Sequence, residues 1–212
     1  MRRQSISQII VESRKDLMKF LCRNPKDFFK ISREDEYSLR EFPGKALIGV
    51  LFQKDEIYQQ FLRHLETIEV EIELESEIYK FDSTDYYQEE MGSGLYRSFL
   101  SIKGLYPVEQ SVSLKNETNS WENEWKEAGN RTLNLDPGYL DLHKVVLLSG
   151  KEGPQKIHLG GGIWADLNLI RKAGRFEALP WTFPDLRESR YHSFFERVRE
   201  NLKLDLKSIR KD

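Results

Sequence analysis

Residues 68–74 read IEVEIEL, with an apolar side chain at every second position and a glutamate at each position between. This period of two predicts a strand with one face in the core and the other in water. The earlier run 46–52 (ALIGVLF) is apolar throughout and predicts a central strand. Between the two, residues 54–66 predict a helix, because one helical face collects Ile57, Phe61, Leu62 and Leu65.

The next segments complete a recognisable order of elements. Residues 95–102 (LYRSFLSI) predict a third strand and residues 131–136 (RTLNLD) a fourth. Between them, residues 107–128 predict a long helix whose apolar stripe holds Leu114, Trp121, Trp125 and Ala128. The order β-α-β-β-α-β predicts an α+β protein with a ferredoxin-like antiparallel sheet and two helices on one face.

The remaining chain is expected to extend this unit by a helix, a β-hairpin and a terminal helix. Residues 136–150 predict the first helix, with Asp136 as N-cap, Pro137 at the first helical position and Gly150 at the end. Three strands are then expected, and the turn Lys172-Ala173-Gly174 joins the last two (156–159, 162–171 and 175–179). The terminal helix is predicted over residues 187–202, with one apolar face formed by Tyr191, Phe194, Phe195 and Val198.

The chain is predicted to divide into an arm, one domain and a tail. Residues 1–44 are expected to form a helical arm and linker, because residues 5–22 are amphipathic and Asn24-Pro25 ends that pattern. Residues 45–205 form the single α+β domain, and residues 206–212 are expected to fray. The arm either packs on the domain or serves as a mobile helix for a partner or for self-association.

Composition bounds the location and the partners. No apolar run approaches the ~18–20 residues of a membrane helix. No membrane is therefore predicted as a partner. The single cysteine permits no internal disulfide, so a reducing cytoplasm is expected. A net charge of −2 makes nucleic acid an unfavoured partner, since proteins that bind nucleic acid without sequence preference usually carry an excess of basic residues.

Motif searches exclude several common sites. A phosphate loop of the form GxxxxGK[ST] is absent, and so are CxxC and HExxH patterns. The four histidines are scattered, which gives a histidine-rich metal site little support. The triplet Gly160-Gly161-Gly162 leads into a strand and predicts a tight bend. The sequence identifies no cofactor.

Residues 81–92 (FDSTDYYQEEMG) hold the most suggestive group of carboxylates. With tyrosines among them, such carboxylates can bind a hard cation or act as a general acid or base. We therefore choose Asp82 and Glu90 as candidate catalytic residues. The alternative is purely structural: Thr84 caps a short helix that Gly92 ends.

Two further segments admit two interpretations each. Lys115, Asn119 and Glu122 recur at i, i+4 and i+7, and they form either a solvated helix flank with an ion pair or a polar row facing a cleft. The segment LPWTFPDLR (179–187) is either a lid over the core or an aromatic pocket wall, with Asp185 and Arg187 at its rim.

Several motifs recur in one combination: FDSTDYYQEEMG, Arg97 and Phe99, the K-x-x-T-N-x-x-E run, NLDPGYL with Lys144, HLGGGIWAD and WTFPDLR. Through these motifs, residues 46–202 resemble a bacterial family, the domain of unknown function 4416. The resemblance implies no particular activity. It indicates polar positions that we take as candidate ligand-binding residues: Thr84, Tyr87, Arg97, Lys115, Asn119, Glu122, Arg131, Asp136, Lys144, His158 and Asp185.

The predicted topology separates these candidates into two groups. An upper group would hold Asp82, Thr84, Glu90, Glu122 and Arg131, and a lower group Lys115, Asp136, Lys144 and His158. A strand of six residues, ~20 Å long, would lie between the groups. The expected function is binding of a small polar or phosphorylated ligand, with acid/base or cation-assisted chemistry as one use of the site. The alternative is a non-catalytic module that binds protein or RNA through an open sheet face or the basic arm.

Overall fold

The computed structural model describes residues 43–82, 87–127 and 129–209. Residues 1–42 of the predicted arm, residues 210–212 of the predicted tail, and Thr84 therefore lie outside the described residues. Its strands are β1 (Pro43–Phe52), β2 (Ile72–Glu75), β3 (Tyr79–Phe81), β4 (Leu95–Ile102), β5 (Tyr106–Pro107), β6 (Lys126–Glu127), β7 (Asn130–Arg131), β8 (Leu133–Leu140), β9 (Lys144–Ser149), β10 (Ile157–Gly160), β11 (Ile163–Lys172) and β12 (Arg175–Ala178). Its α-helices are α1 (Asp55–Thr67), α2 (Gln88–Met91), α3 (Ser111–Glu124), α4 (Pro184–Arg187) and α5 (His192–Ile209).

One sheet of ten strands organises the described chain. Its main path runs β10-β11-β9-β8-β1-β4-β2, while β3, β5 and β12 pair with β4, β1 and β11. All these pairings are antiparallel. The predicted α+β class with an antiparallel sheet is therefore confirmed. The sheet has ten strands, whereas the predicted ferredoxin-like unit has four, so the sheet does not establish that specific topology.

Helices cover both faces of the central strands. Ile48 and Val50 of β1 belong to a core that contains Phe61 of α1 and Leu114 of α3. Leu47 of β1 belongs to the opposite core, which is closed by the buried α5 side chains Phe194, Phe195, Val198 and Leu202. Burial on both faces explains why residues 46–52 are apolar without alternation. The open sheet face opposite α1 and α3, one of the two surfaces considered for the alternative function, is covered by α5 on the described central strands.

The alternating run 68–74 is only partly a strand. Strand β2 begins at Ile72, after Glu69 in a left-handed conformation with φ of 60°. The register against β4 shifts between Ile72 and Leu74, so these residues pack in opposite cores. Glu73 accepts a 2.7 Å hydrogen bond from the buried ammonium of Lys45. The predicted single apolar face opposite a water-facing acidic row is therefore wrong, because a bulge reverses the side chains.

The predicted helix 136–150 is wrong, since this segment contains the second half of β8 and all of β9. The Asp141 carboxylate forms the turn between them by accepting the backbone N–H groups of His143 (2.7 Å) and Lys144 (2.8 Å). Residues 145–148 are all buried, which suits a strand covered on both faces better than a surface helix. At Gly138 a side chain would collide with the carbonyl oxygen of Val146, so this glycine permits the close β8–β9 crossing.

Other local predictions are confirmed. Strand β4 has the predicted bounds 95–102. The β11–β12 turn contains Ala173 and Gly174 at φ of 48° and 87°, and the glycine triplet forms a bend with three positive φ values. The predicted apolar face of the terminal helix is buried, but α5 spans His192–Ile209 rather than 187–202, so Tyr191 precedes it and its end lies past the expected start of a frayed tail. None of the helices in the described ranges is long and apolar enough to cross a membrane.

Candidate functional site

The candidate site is a cavity at the divergence of β8 and β9. The two strands pair only where Gly138–Leu140 meet Val145–Leu147. Beyond that point, Leu148 and Ser149 of β9 pair with β11, while residues 133–137 of β8 pair with β1. A cavity of about 650 Å³ lies between them, lined by residues of both strands. This volume is in the range of sites for small molecules.

Two side chains of helix α3 form hydrogen bonds with the backbone of β8 where β8 is not paired with β9. The backbone N–H of Leu135 donates to Glu122 Oε1 at 2.6 Å, and its carbonyl accepts from Lys115 Nζ at 2.8 Å. Lys115 and Glu122 are two helical turns apart and therefore lie on one side of α3. Their side chains satisfy backbone groups that a neighbouring strand would otherwise bind. The polar row of α3 thus lines the cavity, as one of its two interpretations predicted.

A buried arginine links three elements at the base of the cavity. Arg97 of β4 donates from Nη1 to Asp185 Oδ2 of α4 at 3.0 Å, and its Nη2 pairs with the Asp136 carboxylate of β8. The guanidinium also lies 5.2 Å from the ring centre of Phe99. Burial lowers the pKa of Arg97, but the charges of Asp185 and Asp136 outweigh it and raise the pKa overall. The guanidinium therefore stays charged.

A second network occupies the α3 side of the cavity. Arg131 Nη1 donates to Glu122 Oε2 at 3.1 Å and to Asn134 Oδ1 at 2.9 Å, and Nε donates to Glu90 Oε1 at 3.0 Å. Burial raises the pKa of Glu122, although the charge of Lys115 and the hydrogen bond from Leu135 oppose that rise. The surroundings of Glu122 therefore favour its protonated form more than water does.

The wall formed by β11 and the loop between β9 and β10 holds a pair that the sequence reasoning missed. Lys156 Nζ lies 3.7 Å from Asp166 Oδ2 and donates to Ser149 Oγ at 3.0 Å. Burial raises the pKa of Asp166, and Lys156 partly opposes this. A signal existed in the sequence, because Asp166 interrupts the apolar strand 162–171. A buried carboxyl with a raised pKa in a cleft is typical of functional sites.

Buried polar atoms without a hydrogen-bond partner collect around the cavity. Within the described ranges, six such side-chain atoms exist, and four belong to cavity-lining residues: Arg97 Nε, Asn134 Nδ2, Asp166 Oδ1 and Asp185 Oδ1. Each unsatisfied buried group costs about 1–3 kcal/mol. Folded proteins rarely keep such groups unless water or a ligand binds them. Their concentration here supports a binding site.

Many predicted site residues meet in this cavity. Those that line it are Tyr87, Arg97, Lys115, Asn119, Glu122, Arg131, Asp136 and Asp185. The prediction of two separate groups is wrong, since Glu122 and Arg131 share the cavity with Lys115 and Asp136. These residues share the cavity because β8 continues past the predicted end of the fourth strand. Asp136 therefore lies opposite Gly49 in mid-strand rather than in a turn.

The other predicted residues lie elsewhere. Asp82 is exposed after β3, and the exposed Glu90 contacts the cavity through Arg131. Lys144 pairs with Asp141 in the β8–β9 turn, and the exposed His158 packs on Trp164. Among the residues that the structure describes, no group of three or more histidines, cysteines or acidic residues is arranged to hold a metal ion.

Comparison with known proteins identifies the family of this chain. Residues 43–202 match the family described as Domain of unknown function (DUF4416). No curated protein matches the chain. No solved structure matches it either. The matched range contains the whole lining of the cavity and spans well over half of the chain, so the protein belongs to the DUF4416 family.

Proposed function

We propose that this protein binds a small polar or phosphorylated organic molecule in the cavity between β8 and β9. The observation that carries the proposal is the cavity itself, where buried cations, buried carboxyls and unsatisfied polar atoms line about 650 Å³ of space. The side chains of Phe81, Leu147 and Phe183 add apolar wall. A mixed lining of this kind suits an organic ligand with several polar groups.

If the protein is an enzyme, Glu122 and Asp166 are the groups best suited to proton transfer. Both line the cavity, and burial raises the pKa of each carboxyl. A raised carboxyl pKa lies closer to neutral pH and favours general acid–base catalysis. The exposed Asp82 and Glu90, which the sequence suggested, do not line this cavity. We propose that chemistry, where it occurs, uses the buried pair.

Two finer statements belong to the same proposal. The four central strands lie in the order β8-β1-β4-β2, and we propose that they form a ferredoxin-like core to which the other strands are added. We also propose a cytoplasmic location, in keeping with the single cysteine.

A thermal-shift screen of the purified full chain tests ligand binding. The panel contains nucleotides, phosphorylated metabolites, amino acids and divalent cations. A ligand at a hundred times its Kd stabilises the fold by about 2.7 kcal/mol, and each kcal/mol raises the midpoint by about 2–4 °C. The shift should disappear in Asp166→Asn and persist in Asp82→Asn, the matched exposed control outside the cavity. A panel without hits, or hits whose shifts persist in both Asp166→Asn and the cavity variant Asn119→Ala, would contradict the proposal.

One surface favours a second candidate, a protein-interaction module. Strand β10 ends the main path of the sheet, and Ile157 and Leu159 are 69% and 40% exposed. An edge strand with exposed apolar residues can accept a strand from a partner. Comparing pull-downs of the wild-type chain and Ile157→Lys would test it. A specific partner lost in the variant would favour this function.

A further inference from the structure

We infer that the α3 wall of the cavity is an anion subsite, in which Lys115 and Asn119 hold a carboxylate or phosphate group of the ligand. This inference rests on the proposed function and specifies the ligand class. The first observation is the unused capacity of Lys115. Lys115 is 6% exposed. Among the described residues its ammonium donates to one acceptor, the carbonyl of Leu135, at 2.8 Å.

An ammonium group has three N–H donors, so two remain at Lys115. The carboxylates of the described residues form no salt bridge with it, although Glu122 is close enough for their charges to interact. Leaving charged donors buried and unsatisfied is costly, and an anionic oxygen would remove that cost through charge-assisted hydrogen bonds.

Asn119 supplies the second observation. It follows Lys115 by one helical turn, lines the same cavity and is half-buried. Within the part of the chain that the structure describes, its side-chain amide forms no hydrogen bond. The amide N–H₂ can therefore donate to the same group as the neighbouring ammonium.

Three other cations that line the cavity, Arg97, Arg131 and Lys156, are already paired with carboxylates. Arg131 donates to Glu90, Glu122 and Asn134, and these bonds involve all three of its nitrogens. Arg97 pairs with both Asp136 and Asp185, so two carboxylates already balance its single charge. The α3 wall thus holds the buried ammonium and free amide best placed to receive an anion.

The test uses inorganic phosphate and acetate as probes of the full chain, with sodium chloride at equal ionic strength as reference. We expect at least one probe to raise the unfolding midpoint above the chloride reference. Whichever probe acts identifies a phosphate or a carboxylate as the preferred group. Isothermal titration should show about a tenfold or greater loss of affinity in Asn119→Ala and Lys115→Met, the scale of one charge-assisted hydrogen bond.

Two variants protect the test from a folding failure. Lys115→Arg keeps the charge and donors and should retain binding, while Asn119→Ala leaves the Lys115 contact to Leu135 intact. The exposed Lys103→Met is the matched control for loss of a positive charge and should bind normally. Absence of any shift beyond chloride, or equal affinity in Asn119→Ala and wild type, would overturn the subsite. A neutral or cationic hit that depends on Asp166 would overturn it while leaving the proposed function intact.

Discussion

Replacing Arg97 with methionine should destabilise the protein more than any surface substitution. Methionine keeps much of the side-chain length and removes the cation between Asp136 and Asp185. Arg97 is 2% exposed and Asp185 is 6% exposed, so a buried carboxylate would lose its partner. Removing one member of a buried ion pair typically costs about 3–5 kcal/mol.

The surroundings set where in this range the loss should fall. The Asp136 side chain retains 18% exposure, so water can hydrate part of its charge once Arg97 is absent. We therefore expect a loss of about 3 kcal/mol, near the lower limit. For a chain of this length, that loss lowers the unfolding midpoint by roughly 6–12 °C. Adding Asp185→Asn to Arg97→Met should restore part of the stability, because one uncompensated charge disappears.

Urea denaturation followed by circular dichroism measures these differences, with the slope against urea as a check on two-state behaviour. The matched control is Lys103→Met, in an ion pair with Glu71 whose two side chains are more than half exposed. The control should leave the midpoint almost unchanged, since such pairs are hydrated. A loss below about 1 kcal/mol in Arg97→Met, or a double variant whose loss equals the sum of the single losses, would refute the reasoning.

Three further substitutions test other parts of the fold. Lys45→Met should lower the unfolding free energy in urea, but by less than Arg97→Met, because its partners Glu73 and Asp205 are 16% and 36% exposed and water can hydrate both; an equal or larger loss would contradict this. Gly138→Ala should lower the thermal midpoint, by about 1–3 kcal/mol in stability, since its methyl group must displace β9; an unchanged midpoint would contradict the close crossing. Burial lowers the pKa of His64 below its usual 6.5, so stability should fall as pH drops through 6.5 towards that lower pKa, where the unfolded chain binds the proton first. Unfolding free energies at pH 7.5 and 5.5 should therefore differ less in His64→Gln than in wild type, and an equal difference would assign the pH dependence to other groups.

The candidate site could be predicted from the sequence only in part. The spacing of Lys115, Asn119 and Glu122 places them on one side of α3, and this holds in any fold that keeps the helix. The meeting of Arg97, Asp136 and Asp185 was not predictable, because these residues are far apart in the chain and belong to different elements. Asp166 was missed because its burial depends on the neighbouring strand β9 and on Lys156.

Local sequence determined those elements whose pattern depends on near neighbours. The bounds of β4, the apolar faces of α1 and α5, and the turns at Ala173-Gly174 and the glycine triplet all follow from short-range periodicity or backbone preference. Tertiary structure decided the conformation of residues 136–150, where cap-like residues predicted a helix. Residues 145–148 pair with β8 and β11, α5 covers Val145 and Leu147, and all four residues are buried; that burial outweighed the local signals. Tertiary structure also decided the cavity. It exists only where β8 and β9, which pair over three residues, diverge towards different partner strands.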